Sequence, residues 1–120
     1  TEIAQMDRAH NDAQVIGISG DNEYCKLAWK QSNDLIKDIR HTLAADPGLQ
    51  LAMELGVVDQ QENVALRATY IVDPNDIIQH VSINALDTGR NVDEVIRTLL
   101  ALQAGGLTGC GWQQGDDFVA

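Results

Sequence analysis

The sequence predicts an α/β domain that closes in an antiparallel hairpin and a long helix, and three stretches carry that reading. Val15-Ile16-Gly17-Ile18 is apolar on both faces, as in a strand covered on both sides within a parallel sheet. Val64 to Val72 is rich in β-branched and large apolar side chains and stops at Asp73-Pro74-Asn75-Asp76, where proline takes the second position of a turn. Asn91 precedes a helical run in which Val92, Val95, Ile96, Leu99, Leu100 and Leu102 form one apolar stripe, with Glu94 in capping-box position. A chain of 120 residues has room for one modest domain.

From the amino end, Ile3, Met6 and Ala9 fall at helical spacing within Thr1 to Asp12. Ser19-Gly20-Asp21-Asn22 supplies turn and N-cap chemistry, and the helix from about Glu23 carries Tyr24, Leu27 and Ala28 on an apolar face. Leu35, Ile36 and Ile39 predict a turn of helix, Leu43-Ala44-Ala45 a short strand and Asp46-Pro47-Gly48 a turn. Leu49 to Leu55 reads as a short helix stopped by Gly56, which suits the left-handed position past a helix end. Asp59 to Asn63 is a solvated loop. In the second hairpin strand, Ile77, Gln79, Val81 and Ile83 share one side and Ile78, His80, Ser82 and Asn84 the other, so one face is expected partly in water. Gly105-Gly106 ends the last helix. Residues 105–120 hold five of the ten glycines and form a tail expected to be mobile unless something outside the core ties it down.

The order α-β-α-(β)-α-β-β-α is that of a thioredoxin-like architecture, short of the strand that should precede its first helix. Such a gap leaves strand edges unpaired at about 1–3 kcal/mol per orphaned backbone group. Residues 1–104 are therefore expected to be the later part of a longer core, and residues 105–120 its tail.

Eight Lys and Arg against 18 Asp and Glu leave a net charge of −10. An evenly acidic surface repels phosphate backbones and anionic lipid, so neither nucleic acid nor membrane is an expected partner. No apolar run approaches the roughly 18–20 residues of a membrane helix, and no charged-then-apolar leader opens the chain, so a soluble, cytoplasmic location is expected. Two distant cysteines, Cys25 and Cys110, make neither a disulfide framework nor a CxxC pair, as in a reducing compartment. His10, His41 and His80 show no ligand spacing, and GxGxxG, P-loop and GxSxG motifs are absent, so no metal or cofactor is expected.

Three residues could carry chemistry. Arg67 lies in an apolar strand, where its guanidinium either snorkels to water or is a fixed cation able to stabilise a thiolate or an anionic substrate. Arg90 precedes a helix and could join an anion site or form a surface ion pair. Cys110, between Gly109 and Gly111, has the access that thiol exchange requires, against the alternative of an incidental tail cysteine. Cys25, one turn from Ala28 and Trp29, reads as a packing residue.

Several segments together resemble the peroxiredoxins of the alkyl hydroperoxide reductase, typical two-cysteine kind. They are 15–29 (VIGISGDNEYCKLAW), 64–74 (VALRATYIVDP), 81–84 (VSIN), 89–95 (GRNVDEV), 101–103 (ALQ), Cys110-Gly111-Trp112 and Gly115-Asp116. The opening Thr1-Glu2-Ile3 resembles the residues that follow the family's peroxidatic cysteine in Val-Cys-Pro-Thr-Glu-Ile. The resemblance implies a thioredoxin-like peroxiredoxin sandwich, incomplete at its amino end, whose peroxidatic cysteine lies just ahead of Thr1, so that these 120 residues alone are inactive. It further implies that Arg67 stabilises the thiolate, that Glu2 holds the guanidinium groups, and that Arg90 belongs to the same network. Thr1 and Trp29 are then pocket residues and Cys110 the resolving cysteine.

The implied activity reduces hydrogen peroxide and organic hydroperoxides through a sulfenic acid and an intersubunit disulfide, as antioxidant defence, with no cofactor. A homodimer built on hairpin edges, rings of dimers, and an external dithiol reductant (a flavoprotein, thioredoxin or a lipoyl-dependent reductase) follow from the same resemblance. The Gly-Gly-Leu-Gly insertion and Tyr-Phe helix of overoxidation-sensitive relatives are not found, which implies a resistant, bacterial-type enzyme. The competing reading is a catalytically dead thioredoxin-like scaffold or holdase. A generic thioredoxin-like oxidoreductase fits less well, because it needs CxxC.

Overall fold

Two four-residue strands in parallel register organise the amino-terminal part of the chain: β1 (Ile16–Ser19) pairs with β2 (Thr42–Ala45), Ile16 opposite Thr42 and Ser19 opposite Ala45. The computed structural model describes residues 2–119. They divide into two compact units, Thr1–Ala68 with Ile83–Arg90, and Thr69–Ser82 with Asn91–Ala120.

In the first unit the opening helical segment is not continuous. α1 (Glu2–Met6) gives way to a 3-10 turn over Asp7–Asn11, which buries Ala9. α2 (Glu23–Ser32) starts where expected, because the Asn22 side chain accepts the Cys25 N–H at 2.8 Å. Its apolar residues nevertheless face water: Tyr24, Leu27 and Ala28 are exposed, and so is Cys25, which corrects the packing role expected for it. The buried side chain is Lys26. Its Nζ donates to the carbonyls of Asp21 (2.8 Å) and Ser19 (3.3 Å), so the buried ammonium is satisfied at the end of β1 and the loop leaving it. The double-sided burial expected of β1 also fails. Ile16 and Ile18 are about half exposed, and β2 is the only strand paired to β1 among the described residues.

Residues 34–38 form hydrogen-bonded turns that include one helical i→i+4 bond but do not extend into a helix: the Asn33 carbonyl takes the N–H groups of Ile36 and Lys37, and its side chain takes that of Leu35. They still bury Ile36 completely, beside a core that includes Ile39, Leu49, Ala52 and Val57. α3 (Gln50–Glu54) is stopped by Gly56 at φ +71°, as expected. It begins unusually. Leu49 stands left-handed at φ 57°, and the Asp46 carboxylate reaches past it to accept the N–H groups of Leu51 and Ala52, both at 3.1 Å. A methyl at Gly20 would sit 3.0 Å from the Leu49 side chain, so glycine there makes room for that leucine.

The stretch 64–72 is two strands, not one. Leu66 breaks it by donating to Val57 O and accepting from Ala68 N. β4 (Val64–Ala65) pairs with β3 (Val58–Asp59), and the intervening loop is ordered by Asp59, whose carboxylate accepts Gln61 and Glu62 N–H groups. β5 (Arg67–Val72) pairs with β6 (Ile78–Asn84) across a turn that Asp73 organises. Its Oδ1 accepts from Asn75 and Ile77, its Oδ2 from Gln79, and its own N–H donates to Ile77 O. On β6 the side of Val81 and Ile83, with Ile77 just ahead of the strand, is about half exposed, whereas on the other side Ile78 is also half exposed and His80, Ser82 and Asn84 are partly covered.

In the second unit, α4 (Val92–Ala104) begins with the Asn91 side chain accepting the Glu94 N–H and ends at Gly105 with φ +76°. Val92, Val95 and Leu99 are buried along its stripe. The tail is held, not free. Trp112 is 6% exposed, stacks on Phe118 at 6.2 Å between ring centres, and donates Nε1–H to Asp116 O. No helix among the described residues is long and apolar enough to cross a membrane.

Candidate active site

The first unit brings three of the sequence-selected residues together around one carboxylate. Glu2 lies at the start of α1, Arg67 at the start of β5, and Arg90 just beyond the loop that follows β6. Glu2 Oε1 accepts the Arg90 backbone N–H at 3.1 Å and lies 3.4 Å from Arg90 Nε; its Oε2 lies 3.6 Å from Arg67 Nη1. Each guanidinium is braced a second time by backbone. Arg67 Nε donates to Leu86 O at 2.7 Å, and Arg90 Nη2 reaches Ala68 O at 3.5 Å. Arg90 thus forms an ion pair, partly buried at 22% exposure, whereas Arg67 is held by Leu86 O and still reaches water at 41% exposure.

The chemistry of this arrangement follows from its charge count. One carboxylate between two guanidiniums leaves one positive charge in excess, at groups that cannot lose a proton near neutrality. Arg90 Nε is buried and ion-paired but makes no hydrogen bond, because it is not aligned on the carboxylate. Arg67 makes one hydrogen bond, to Leu86 O, and one longer ion pair, to Glu2, and keeps N–H groups unused among the described residues, so an anion approaching its exposed side finds a partly fixed donor.

The far end of α1 is anchored by a cluster that sequence reading missed. Asp7 accepts the backbone N–H groups of Arg40 (2.8 Å) and His41 (3.2 Å), and its oxygens lie 3.2 Å from Arg40 Nε and 3.0 Å from His41 Nδ1. Burial pushes this carboxyl up, but the bonds from His41 and Arg40 outweigh it and hold Asp7 well below the ordinary carboxylate range. Partners so far apart in sequence leave no local pattern to read.

The remaining candidates lie elsewhere. Trp29 is on α2, 41% exposed and bonded to none of the three charged residues; Thr1 lies outside the described residues. Cys110 belongs to the second unit, where it is exposed at a hollow of about 440 Å³ lined also by Thr98, Ala101, Leu102, Gly105 and Thr108. Beside it, Arg97 bonds Glu94 through Nε (2.6 Å) and Nη2 (2.7 Å), and donates Nη1–H to Trp112 O at 3.0 Å. The Arg97 bond, followed by smaller opposing burial, lowers the Glu94 carboxyl, and Glu94 in turn raises Arg97. No group of three or more His, Cys, Asp or Glu among the described residues could hold a metal ion.

Comparison with known proteins gives these features a family. The chain is 40% identical over 124 residues to the alkyl hydroperoxide reductase C of Mycolicibacterium smegmatis, covering 99% of this chain and 63% of that protein. It is 37% identical to the putative peroxiredoxin YkuU of Bacillus subtilis, covering 96% of this chain and 68% of the relative. The chain thus spans less than two thirds of the length of most of the curated relatives it matches, from 42% to 68%. Among solved structures, Mycobacterium bovis AhpC superposes with a TM-score of 0.82 at 37% identity, covering 94% of this chain and 65% of that one. The reduced 2-Cys peroxiredoxin of Plasmodium vivax gives 0.85 at 32% identity, covering 97% and 66%. The fold is accordingly the thioredoxin-like fold of the peroxiredoxins. The family model described as AhpC/TSA matches residues 2–81, a stretch that includes Glu2, Arg67 and the strands between them, and the chain belongs to that family.

Proposed function

We propose that the complete protein is a thiol peroxidase that reduces hydrogen peroxide and organic hydroperoxides. The observation that carries this reading is the Glu2–Arg67–Arg90 network, whose excess positive charge and backbone-fixed guanidiniums suit a thiolate and the oxygen anion released from the peroxide. The nucleophile is a cysteine supplied by sequence ahead of Thr1. Its thiolate attacks the terminal peroxide oxygen; the O–O bond breaks, sulfur is oxidised to a sulfenic acid, and the alkoxide or hydroxide takes a proton. Family resemblance, not contact with the charged network, assigns Thr1 and Trp29 to the substrate pocket. Arg67 donates to the peroxide while Glu2 holds its guanidinium in place.

Cys110 then resolves the sulfenic acid. Its sulfur forms the S–S bond, the S–O bond breaks, and hydroxide leaves with the Cys110 proton as water. The disulfide joins two protomers of a homodimer, in which the exposed apolar side of β6 gives the hairpin something to pair, and dimers associate into rings. An external dithiol restores both thiols by exchange.

The test is Cys110→Ser in the complete protein. After one equivalent of peroxide, disulfide-linked dimers on a non-reducing gel should disappear while the first oxidation proceeds at the unchanged rate. Dimers formed at the normal rate would show that another sulfur resolves.

A further inference from the structure

The second unit contains a basic residue that neither the sequence motifs nor the charged network of the first unit uses. Arg97 stands on α4 with all three guanidinium nitrogens committed: Nε and Nη2 grip Glu94 one turn earlier, at 2.6 and 2.7 Å, and Nη1 donates to the Trp112 carbonyl at 3.0 Å. The grip on Glu94 fixes the guanidinium plane, so the bond to Trp112 is made by a preoriented donor, with little side-chain freedom left to lose. Trp112 is two residues from Cys110. It is the buried anchor of the tail, with its ring on Phe118, its Nε1–H on Asp116 O, and its N–H on Gly109 O, the residue before the cysteine. Val119 N–H closes the loop back onto Leu107 O at 2.7 Å.

We propose that Arg97 is a positioning residue for Cys110: its bond to the Trp112 carbonyl keeps segment 105–119 folded on α4, and breaking that bond frees the cysteine to reach its partner sulfur. The proposal rests on the reading of Cys110 as the resolving thiol. A thiol held between Gly109 and Gly111 is already open to solvent, so exposure does not limit its reaction. What limits it is displacement of the segment. That requires the Trp112 anchor to leave its pocket, and the Arg97 bond is the charge-assisted contact that opposes this. Phe118 closes the other side of the same latch. It packs so tightly that a methyl at Gly106 would lie 2.5 Å from its ring, which the ring could not tolerate without moving.

Two variants therefore open the latch from opposite sides, Arg97→Gln by removing the charged donor and Gly106→Ala by expelling Phe118. In the complete protein, amide hydrogen exchange at Trp112 and Val119 should speed up about tenfold in both, the loss expected for one charge-assisted bond. The first-order step that forms the disulfide should accelerate by a similar factor. The second-order oxidation by peroxide should not change, a split that a merely structural role for Arg97 would not produce. Arg97→Lys, which keeps the charge but not the fork, should fall between. Unchanged exchange in both variants overturns the latch. Faster exchange with an unchanged disulfide step overturns the positioning role. Wild-type protein that forms no Cys110 disulfide overturns the resolving-thiol reading, and the exchange data then decide the latch separately.

Discussion

Replacing Asp7 by alanine should destabilise the protein by about 2–4 kcal/mol. The carboxylate serves four donors from Arg40 and His41 at 2.8–3.2 Å. Those donors are not equal. The Arg40 side chain is half exposed and finds water when Asp7 is gone, so its loss contributes little. His41 is 3% exposed, and its ring nitrogen and backbone N–H are left without a partner at about 1–3 kcal/mol each, less what entering water recovers. Against a total stability of about 5–15 kcal/mol this is a large fraction. Urea unfolding followed by circular dichroism, at fixed protomer concentration, should show the midpoint falling by about 1–2 M for Asp7→Ala and roughly half as much for Asp7→Asn, which keeps one acceptor oxygen. The pH dependence has a definite sign. A carboxyl held below its ordinary value of 3.8 contributes fully above that value, and its contribution disappears as pH falls through the depressed folded value. The gap between wild type and Asp7→Asn should therefore persist at pH 5 and close only in stronger acid. A midpoint shift equivalent to less than about 0.5 kcal/mol in the alanine variant would refute the reasoning.

Glu2→Gln should alter stability by no more than about 1 kcal/mol, since its partner Arg67 is 41% exposed, yet slow peroxide reduction by about tenfold in stopped flow, because the guanidinium groups lose the charge that aligns them. Unchanged rates would reduce the network to a structural one. Leu49→Gly should destabilise despite the left-handed backbone at φ 57°: relief of strain recovers about 1–2 kcal/mol, whereas deleting a leucine side chain that is 8% exposed loses about 2–5. A glycine variant with a higher melting temperature than wild type would show that strain dominates at this site.

Legibility in the sequence followed the range of the interactions. α4 was readable because its cap and stripe lie within one run, and the short helix ending at Gly56 for the same reason. The turn at Asp73 was placed by its own residues. The inward-facing Lys26 was not readable, since a lysine among Tyr24, Leu27 and Ala28 looks solvated until the Ser19 and Asp21 carbonyls come to it. The orientation of β6 was likewise not readable: period-two alternation separates two faces but does not say which one is covered. For the candidate site, the strand position of Arg67 posed the question of a fixed cation, and family resemblance proposed Glu2 and Arg90 as its companions. Geometry supplied the bracing carbonyls of Leu86 and Ala68, which no side-chain pattern encodes. The tail was misjudged because glycine content outweighed Trp112.

The Asp73 turn has a kinetic consequence. Its bonds join residues only two to six positions apart, so the loop closes at small entropic expense and the β5–β6 ribbon can assemble early, from contacts of low order. The Glu2–Arg90 bond spans 88 positions and must wait for almost everything else. An immature chain can therefore carry a finished ribbon with Arg67 and Arg90 held only by the Leu86 and Ala68 carbonyls, 19 and 22 positions away, before Glu2 closes the network.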